Sequence, residues 1–323
     1  MRRGVHVVLA VFFLAGPLRA GSLSHRERER LAAEGQTLFE QRRPTEAREK
    51  WEQALSGGAT RAEIRRWRPW IGRTFEAEGN FQKALTAYQE AFDVDAKSVD
   101  RMVDLARVYD TVELDERALD LYERALKRDH ARRDVLVALA DLHFGAGRGT
   151  DARRFAVDAL RRESRDPVAM MLLARIEESE GNLAGAARRR EGVLEVRPSG
   201  ADALTLGRLW ARAGELELAD TAYRRAAELG VDSADLFFER GAVAWRQGDA
   251  DAAERRLGEA LAKDPRFAPA SFLLSVVDWE RGRSARAAER LRGISIPADT
   301  VLAPLRDHFL TALTFGSGAG GKK

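Results

Sequence analysis

The 323-residue chain has no cysteine and only 9 prolines, and each of these facts limits the kinds of structure that it can form. Without cysteine there is no disulfide, no thiol nucleophile, no cysteine-ligated metal and no cysteine for lipidation after a leader. Scarce proline, together with few clusters of β-branched residues, favours a mostly helical chain. Apolar residues make up 45% of the sequence and charged residues 33%, which is typical of a folded soluble protein rather than a disordered one.

Long apolar runs are also missing after residue 20. The first 20 residues themselves have the layout of a secretory leader. In MRRGVHVVLAVFFLAGPLRA, two arginines precede an apolar run over 5–15, and Pro17 and Ala20 follow. The apolar run is short for a transmembrane helix. We expect cleavage after Ala20, no transmembrane segment in the mature chain, and a periplasmic or secreted protein. An uncleaved membrane anchor is the alternative.

An excess of basic charge is absent from the predicted mature chain. The full sequence has 54 basic and 51 acidic residues, and the leader accounts for three of the basic ones, which leaves 51 of each sign. A neutral chain provides no global positive field for phosphates. We therefore expect no nucleic-acid partner. The basic clusters RRWRPW (65–70) and RRR (188–190) are interpreted as solvated helix faces.

An internal repeat organises the sequence after the leader. Eight alanines, which we call the anchors, are separated by steps of 33 to 37 residues: Ala47, Ala84, Ala118, Ala152, Ala186, Ala219, Ala253 and Ala287. Twelve residues before the anchor stands a small residue in most copies, and four residues after it a bulkier one. Five residues before it, six copies have glycine, where a turn with positive φ is expected. Such regular spacing indicates stacked copies of one helical hairpin.

This frame resembles the tetratricopeptide repeat, in which two antiparallel helices form each unit of 34 residues. The resemblance covers 28–301 and implies an all-α fold, a right-handed α-solenoid of about eight helix-turn-helix repeats. The repeats are predicted near 28–61, 65–98, 99–132, 133–166, 167–199, 200–233, 234–267 and 268–301. Around them we predict a signal peptide over 1–20, a linker over 21–27, a capping helix over 302–315 and a flexible tail over 316–323.

Two details refine the boundaries of the array. Thr60 and Glu63 have the spacing of a capping box, which predicts an early start for the first helix of the second repeat. After a break at Pro297, apolar residues at Leu302, Leu305 and Phe309 fall on one helical face. This pattern predicts that a single amphipathic helix covers the last hairpin.

Motifs for catalysis, metal binding or phosphate binding are lacking. The histidines show no paired ligand spacing, and no strand or Gly-Lys-Ser/Thr accompanies the glycine-rich FGAGRGTD at 144–151. We interpret that segment as the turn of the fourth hairpin. The sequence therefore predicts a non-enzymatic protein without metal or cofactor.

The resemblance also implies a concave groove lined by frame positions two, five, nine and twelve of each first helix, with the anchor at position twenty. Position nine gives an arginine in four copies, Arg73, Arg107, Arg175 and Arg208, and Glu76, Asp110 and Glu178 follow three residues after the first three of these. One interpretation is ion pairing within each helix at i, i+3. The other is an arginine ladder that binds carboxylates of a partner.

In the C-terminal half of the array, large apolar residues occupy groove positions: Met171, Phe238, Phe272 and Trp279. Exposed apolar patches mark partner sites, so we predict that these residues and the four arginines bind a protein or peptide segment. The alternative is that these apolar side chains pack on neighbouring helices. The leading hypothesis is a non-catalytic scaffold of the cell envelope. The second hypothesis is an accessory protein that binds carbohydrate or peptidoglycan. The sequence does not determine an oligomeric state.

Overall fold

A computed structural model of the chain describes residues 23–294 and 302–316. All regular structure in these ranges is helical, so the predicted all-α solenoid of helical hairpins is confirmed. The helices are α1 (His25–Glu40), α2 (Pro44–Leu55), α3 (Arg61–Ala77), α4 (Phe81–Val94), α5 (Val99–Thr111), α6 (Asp115–Arg128), α7 (Arg133–Gly145), α8 (Gly149–Arg162), α9 (Pro167–Ser179), α10 (Leu183–Val196), α11 (Gly200–Ala213), α12 (Leu216–Glu228), α13 (Ala234–Arg246), α14 (Ala250–Lys263), α15 (Ala268–Glu280), α16 (Ser284–Gly293) and α17 (Leu302–Gly316).

Some predicted features lie outside the described residues. These are the leader over 1–20, the break at Pro297 and residues 317–323 of the tail. Within the described part of the chain, none of the helices has both the length and the apolar character needed to cross a bilayer. Backbone contacts divide the chain into two compact units, 1–139 and 140–323, and the boundary falls within α7.

In the first unit, the small residue of one helix fits against the bulky residue of its partner. A Cβ added at Gly72 would lie 2.7 Å from the Tyr88 ring, and one at Gly35 would lie 3.0 Å from the Trp51 ring. The Trp51 ring stacks on Trp70, with centroids 5.7 Å apart and planes 19° apart. The paired helices therefore approach closely at these glycines, and aromatic side chains of the partner helix fill the core of this unit.

The second unit repeats this packing. A Cβ at Gly207 would lie 2.3 Å from Tyr223, and one at Gly241 would lie 2.8 Å from Leu257. The anchors of this unit are fully buried, which explains why alanine recurs at that position. In the last hairpin, α17 packs on α16, where Phe309 and Leu310 join a cluster with Ala287 and Leu291.

The turns between paired helices follow the predicted backbone geometry. The six glycines that stand five residues before an anchor have φ between 73° and 89°, as expected. The equivalent residues of the first and third repeats are Arg42 and Glu113, and both adopt φ of 59° without being glycine. The hairpin therefore imposes the turn conformation, and in these two copies a residue other than glycine adopts the less favourable left-handed backbone.

The predicted early start of α3 is confirmed. The Thr60 hydroxyl accepts a hydrogen bond from the Glu63 backbone N–H, and the Glu63 carboxylate accepts one from the Thr60 backbone N–H. Glu63 is buried and also lies 3.1 Å from Nδ1 of His25 in α1. The capping box thus joins the beginnings of α1 and α3.

Candidate protein-binding surface

The predicted site residues lie on the first helices of their hairpins. Because positions two, five, nine and twelve are three or four residues apart, the helical period places them on one side of each helix. We call this side the first-helix face. Arg73 and Arg107 belong to the first unit, and the other six predicted residues to the second.

Arg107 is held by the preceding repeat. Its guanidinium makes a two-point contact with the Glu76 carboxylate, and Tyr88 donates its hydroxyl hydrogen to the same carboxylate. Burial of the Tyr88 phenol, reinforced by the charge of Glu76, raises its pKa. Burial opposes the charge of Arg107, yet the hydrogen bond and charge of Glu76 raise the pKa of Arg107 overall. Arg107 therefore stays positively charged, and its two-point contact with Glu76 holds its guanidinium in place.

Two other ladder arginines contact an acid at position six of the following repeat. Arg208 lies 2.7 Å from the Glu239 carboxylate, which also accepts a 3.2 Å hydrogen bond from Tyr223. Arg73 lies 3.7 Å from the Asp104 carboxylate and stacks 4.5 Å from the Trp70 ring centroid. Burial raises the pKa of Asp104, although nearby arginines, including Arg73 and Arg107, oppose the shift.

Arg175 completes the set with a contact to the preceding repeat. It lies 2.9 Å from Asp141, and its guanidinium lies 5.0 Å from the centroid of the Phe144 ring. All four arginines therefore pair between consecutive repeats, with sequence separations of 31 to 34 residues. Glu76 and Glu178, two of the acids expected to pair within their own helix, contact Arg107 and Arg212 of the following repeat. Stacking of the first helices therefore brings carboxylates of one repeat within reach of guanidiniums of the next.

The apolar predicted residues have several environments. Trp279 is 48% exposed, whereas Met171, Phe238 and Phe272 are half-buried. The Phe238 ring meets Phe267 edge to face, with centroids 5.7 Å apart. The structure brings Phe272 and Trp279 together around Phe309 of α17, at centroid distances of 6.3 and 5.4 Å. Packing on neighbouring helices, the expected alternative, thus accounts for part of each ring's contacts.

Sequence reasoning missed three aromatic residues at position twelve of this face: Phe39, Phe144 and Trp245. Trp245 stands at position twelve of the seventh repeat, as Trp279 does in the eighth, so the repeat frame contained the signal. Trp245 is half-buried and donates its indole N–H to Glu280 at 2.9 Å. Phenylalanine and tryptophan therefore occupy the same two frame positions, five and twelve, in the seventh and eighth repeats: Phe238, Trp245, Phe272 and Trp279.

Met171 lies beside a cavity of about 460 Å³. Its lining combines apolar residues, Pro167, Val168, Val193 and Pro198, with the polar residues Arg197, Ser199 and Asp202. Val168, at position two of the fifth repeat, is 51% exposed. The cavity thus opens where α9 presents its first-helix face near the start of α11.

These features define a class of proteins built from stacked helical hairpins whose first helices share a face. Family models described as tetratricopeptide repeat match residues 32–98, 71–132, 137–189 and 244–300. The chain belongs to the tetratricopeptide repeat family, as predicted. No curated protein matches the sequence.

Solved structures show the same fold at low sequence identity. The C-terminal part of a tetratricopeptide repeat-containing protein from Cytophaga hutchinsonii is 17% identical, with a TM-score of 0.61, over 74% of this chain and 97% of that chain. A tetratricopeptide repeat protein from Parabacteroides merdae is 17% identical, with a TM-score of 0.53, over 78% and 99%. YrrB, described as having an unusual peptide-binding site, is 18% identical, with a TM-score of 0.50, over 58% and 96%.

Proposed function

We propose that the chain is a non-catalytic, exported scaffold that binds a segment of a partner protein on the first-helix face of its second unit. The observation that carries the proposal is the half-exposed Trp279, which belongs to a set of four aromatic residues on α13 and α15. Water-exposed tryptophan next to other aromatic rings is unfavourable in a free protein, and it is typical of surfaces that a partner covers.

Two further observations support binding of an extended or helical segment. The cavity beside Met171, in the same unit, offers both apolar and polar groups to a partner side chain. YrrB has a peptide-binding site on the same type of fold. That likeness extends to the fold alone, so it gives a reason to test peptide binding here.

Export is proposed from the N-terminal sequence. The order of arginines, apolar run and small residue at Ala20 is that of a cleaved leader. Mass spectrometry of the protein from its native cells should find a mature N-terminus at or near Gly21. An intact Met1 in the membrane fraction would contradict cleavage and indicate an anchored protein instead.

Binding of carbohydrate is the second candidate, since exposed tryptophan also stacks on sugar rings. A photocrosslinking experiment in the native cells tests the proposed protein partner and distinguishes it from a carbohydrate. A photoreactive amino acid replaces Val168, 51% exposed on the first-helix face, and in a matched strain it replaces Leu218, 45% exposed on the second helix α12. We expect a discrete protein adduct from position 168 and a weaker one or none from position 218. Equal adducts at both positions, or only glycan adducts, would contradict the proposal.

A further inference from the structure

The first-helix face changes character in the last two repeats. In the seventh repeat, positions five, nine and twelve are Phe238, Ala242 and Trp245. In the eighth repeat they are Phe272, Val276 and Trp279. We call these six residues the aromatic strip. Spacings of four and then three residues keep each row on one side of its helix.

No charged side chain stands in the aromatic strip, in contrast to the ladder positions of earlier repeats. Position nine is arginine in four of the earlier repeats, but Ala242 and Val276 occupy it here. Both residues are half-buried and much shorter than arginine. Within each row, therefore, an apolar residue stands between the phenylalanine and the tryptophan, and Glu280 accepts the Trp245 indole N–H at the edge of the strip.

The chain itself shows what kind of side chain this strip accepts. Phe309 of α17 reaches the edge of the eighth-repeat row, with its ring 6.3 Å from Phe272 and 5.4 Å from Trp279 between centroids. The contact with Trp279 is edge to face, at 89° between planes. This geometry is the favourable one for aromatic pairs. Trp279 nevertheless stays 48% exposed, so the strip is only partly covered.

From these observations we propose that the aromatic strip binds an uncharged partner segment bearing an aromatic or large aliphatic side chain, seated as Phe309 is seated at the edge. The inference rests on the proposed function and specifies the chemistry of the partner. A charged side chain placed on the strip would lose its hydration without gaining a counter-ion from these six residues.

The arginine ladder makes an acidic partner less suitable. Arg175 and Arg208, the ladder arginines of the same unit, already lie 2.9 and 2.7 Å from the carboxylates of Asp141 and Glu239. These carboxylates offset part of the charge of the two guanidiniums, so the ladder attracts an acidic segment less strongly than unpaired arginines would. Sugars need several polar side chains around each ring, whereas the strip's six side chains carry two indole N–H groups, and that of Trp245 already donates to Glu280.

The test is selection of a displayed library of random 12-residue peptides on the full mature chain, followed by affinity measurement of the enriched peptides. We expect the enriched peptides to contain an aromatic or large aliphatic residue within a stretch free of Asp, Glu, Lys and Arg. Trp279→Ala should weaken their binding about tenfold or more, which is the loss typical of an aromatic anchor. Leu218→Ala, which removes an equally exposed apolar side chain from α12, should leave affinity within about twofold.

Phe238→Ala provides a second variant from the other row, and thermal unfolding of each variant shows that it is folded. If Phe238→Ala melts at a clearly lower temperature than the parent protein, only the affinity of Trp279→Ala is used, since Trp279 is half-exposed. Enriched acidic peptides that lose affinity with Arg208→Ala but not with Trp279→Ala would overturn this inference and leave the protein-binding function standing. If no peptide is enriched relative to a control selection on an unrelated helical protein, both this inference and the proposed protein-binding function are overturned. This holds whether or not the chain binds glycan.

Discussion

Replacement of Gly207 by alanine is the most direct test of the close helix contact within a hairpin. An added Cβ would lie 2.3 Å from Cε1 and 2.4 Å from Cδ1 of Tyr223. The Tyr223 ring is fully buried, and its hydroxyl donates to the Glu239 carboxylate that also binds Arg208. The ring therefore cannot move aside without disturbing the contact between two repeats.

The expected magnitude is the difference between two effects. Forcing an extra methyl group into a packed core costs about 1–3 kcal/mol. Alanine in a helix is better than glycine by about 0.5–1 kcal/mol, which offsets part of that cost. Because the added Cβ would lie only 2.3 Å from Tyr223, we expect the packing cost to dominate, so that Gly207→Ala lowers the free energy of unfolding by up to about 2.5 kcal/mol. Gly258 in α14 is a matched control, because it is exposed and no neighbouring atom lies within 4 Å of an added Cβ.

Urea unfolding followed by far-ultraviolet circular dichroism at pH 7 measures both variants against the parent protein. Gly258→Ala should move the midpoint to higher urea by the helix-propensity gain alone, and Gly207→Ala should move it to lower urea. Because stacked repeats unfold in parts as well as together, the midpoints are compared rather than a single extrapolated free energy. If both variants shift equally to higher urea, the Gly207–Tyr223 contact is not the close packing described here.

Three further substitutions test other levels of the structure. Ala186→Trp replaces a fully buried anchor and should lower stability by at least about 1–3 kcal/mol, whereas the exposed Arg188→Ala should change it little; equal melting temperatures would contradict the repeat frame. Glu113→Gly relieves a φ of 59° in the third turn and should raise stability by about 0.5–1 kcal/mol in urea unfolding; a loss of stability would show that the turn is not strained. The hydrogen bond from Arg283, together with neighbouring arginine charges, lowers the pKa of Glu254, although burial opposes the shift. The ionised Glu254 therefore stabilises the fold at any pH above its unfolded-chain pKa, near 4.5. This contribution is lost as the pH falls through the lower pKa of the folded protein. Melting temperatures at pH 7 and pH 3.5 should therefore differ less for Glu254→Gln than for the parent protein, and an identical drop would refute this linkage.

The repeat itself could be predicted from the sequence, because its signals are local and recur. The buried anchors, the small residue opposite a bulky one and the turn glycines each depend on packing within one hairpin, and eight copies made the pattern visible. The capping box at Thr60 was predictable for the same reason, since its partners are three residues apart.

Contacts between repeats were decided only by the tertiary structure. The frame placed an arginine at position nine, but whether its partner stands three residues along the same helix or 31 residues away depends on how neighbouring helices stack. The positive φ at Arg42 and Glu113 follows from the same cause, because the paired helices impose the turn even where the sequence lacks glycine. The exposure of Trp279 was likewise undetermined by its position, since it depends on how far α17 covers the last hairpin. Local spacing encodes the hairpin, whereas burial and charge pairing arise from elements distant in sequence that meet only when the chain has folded.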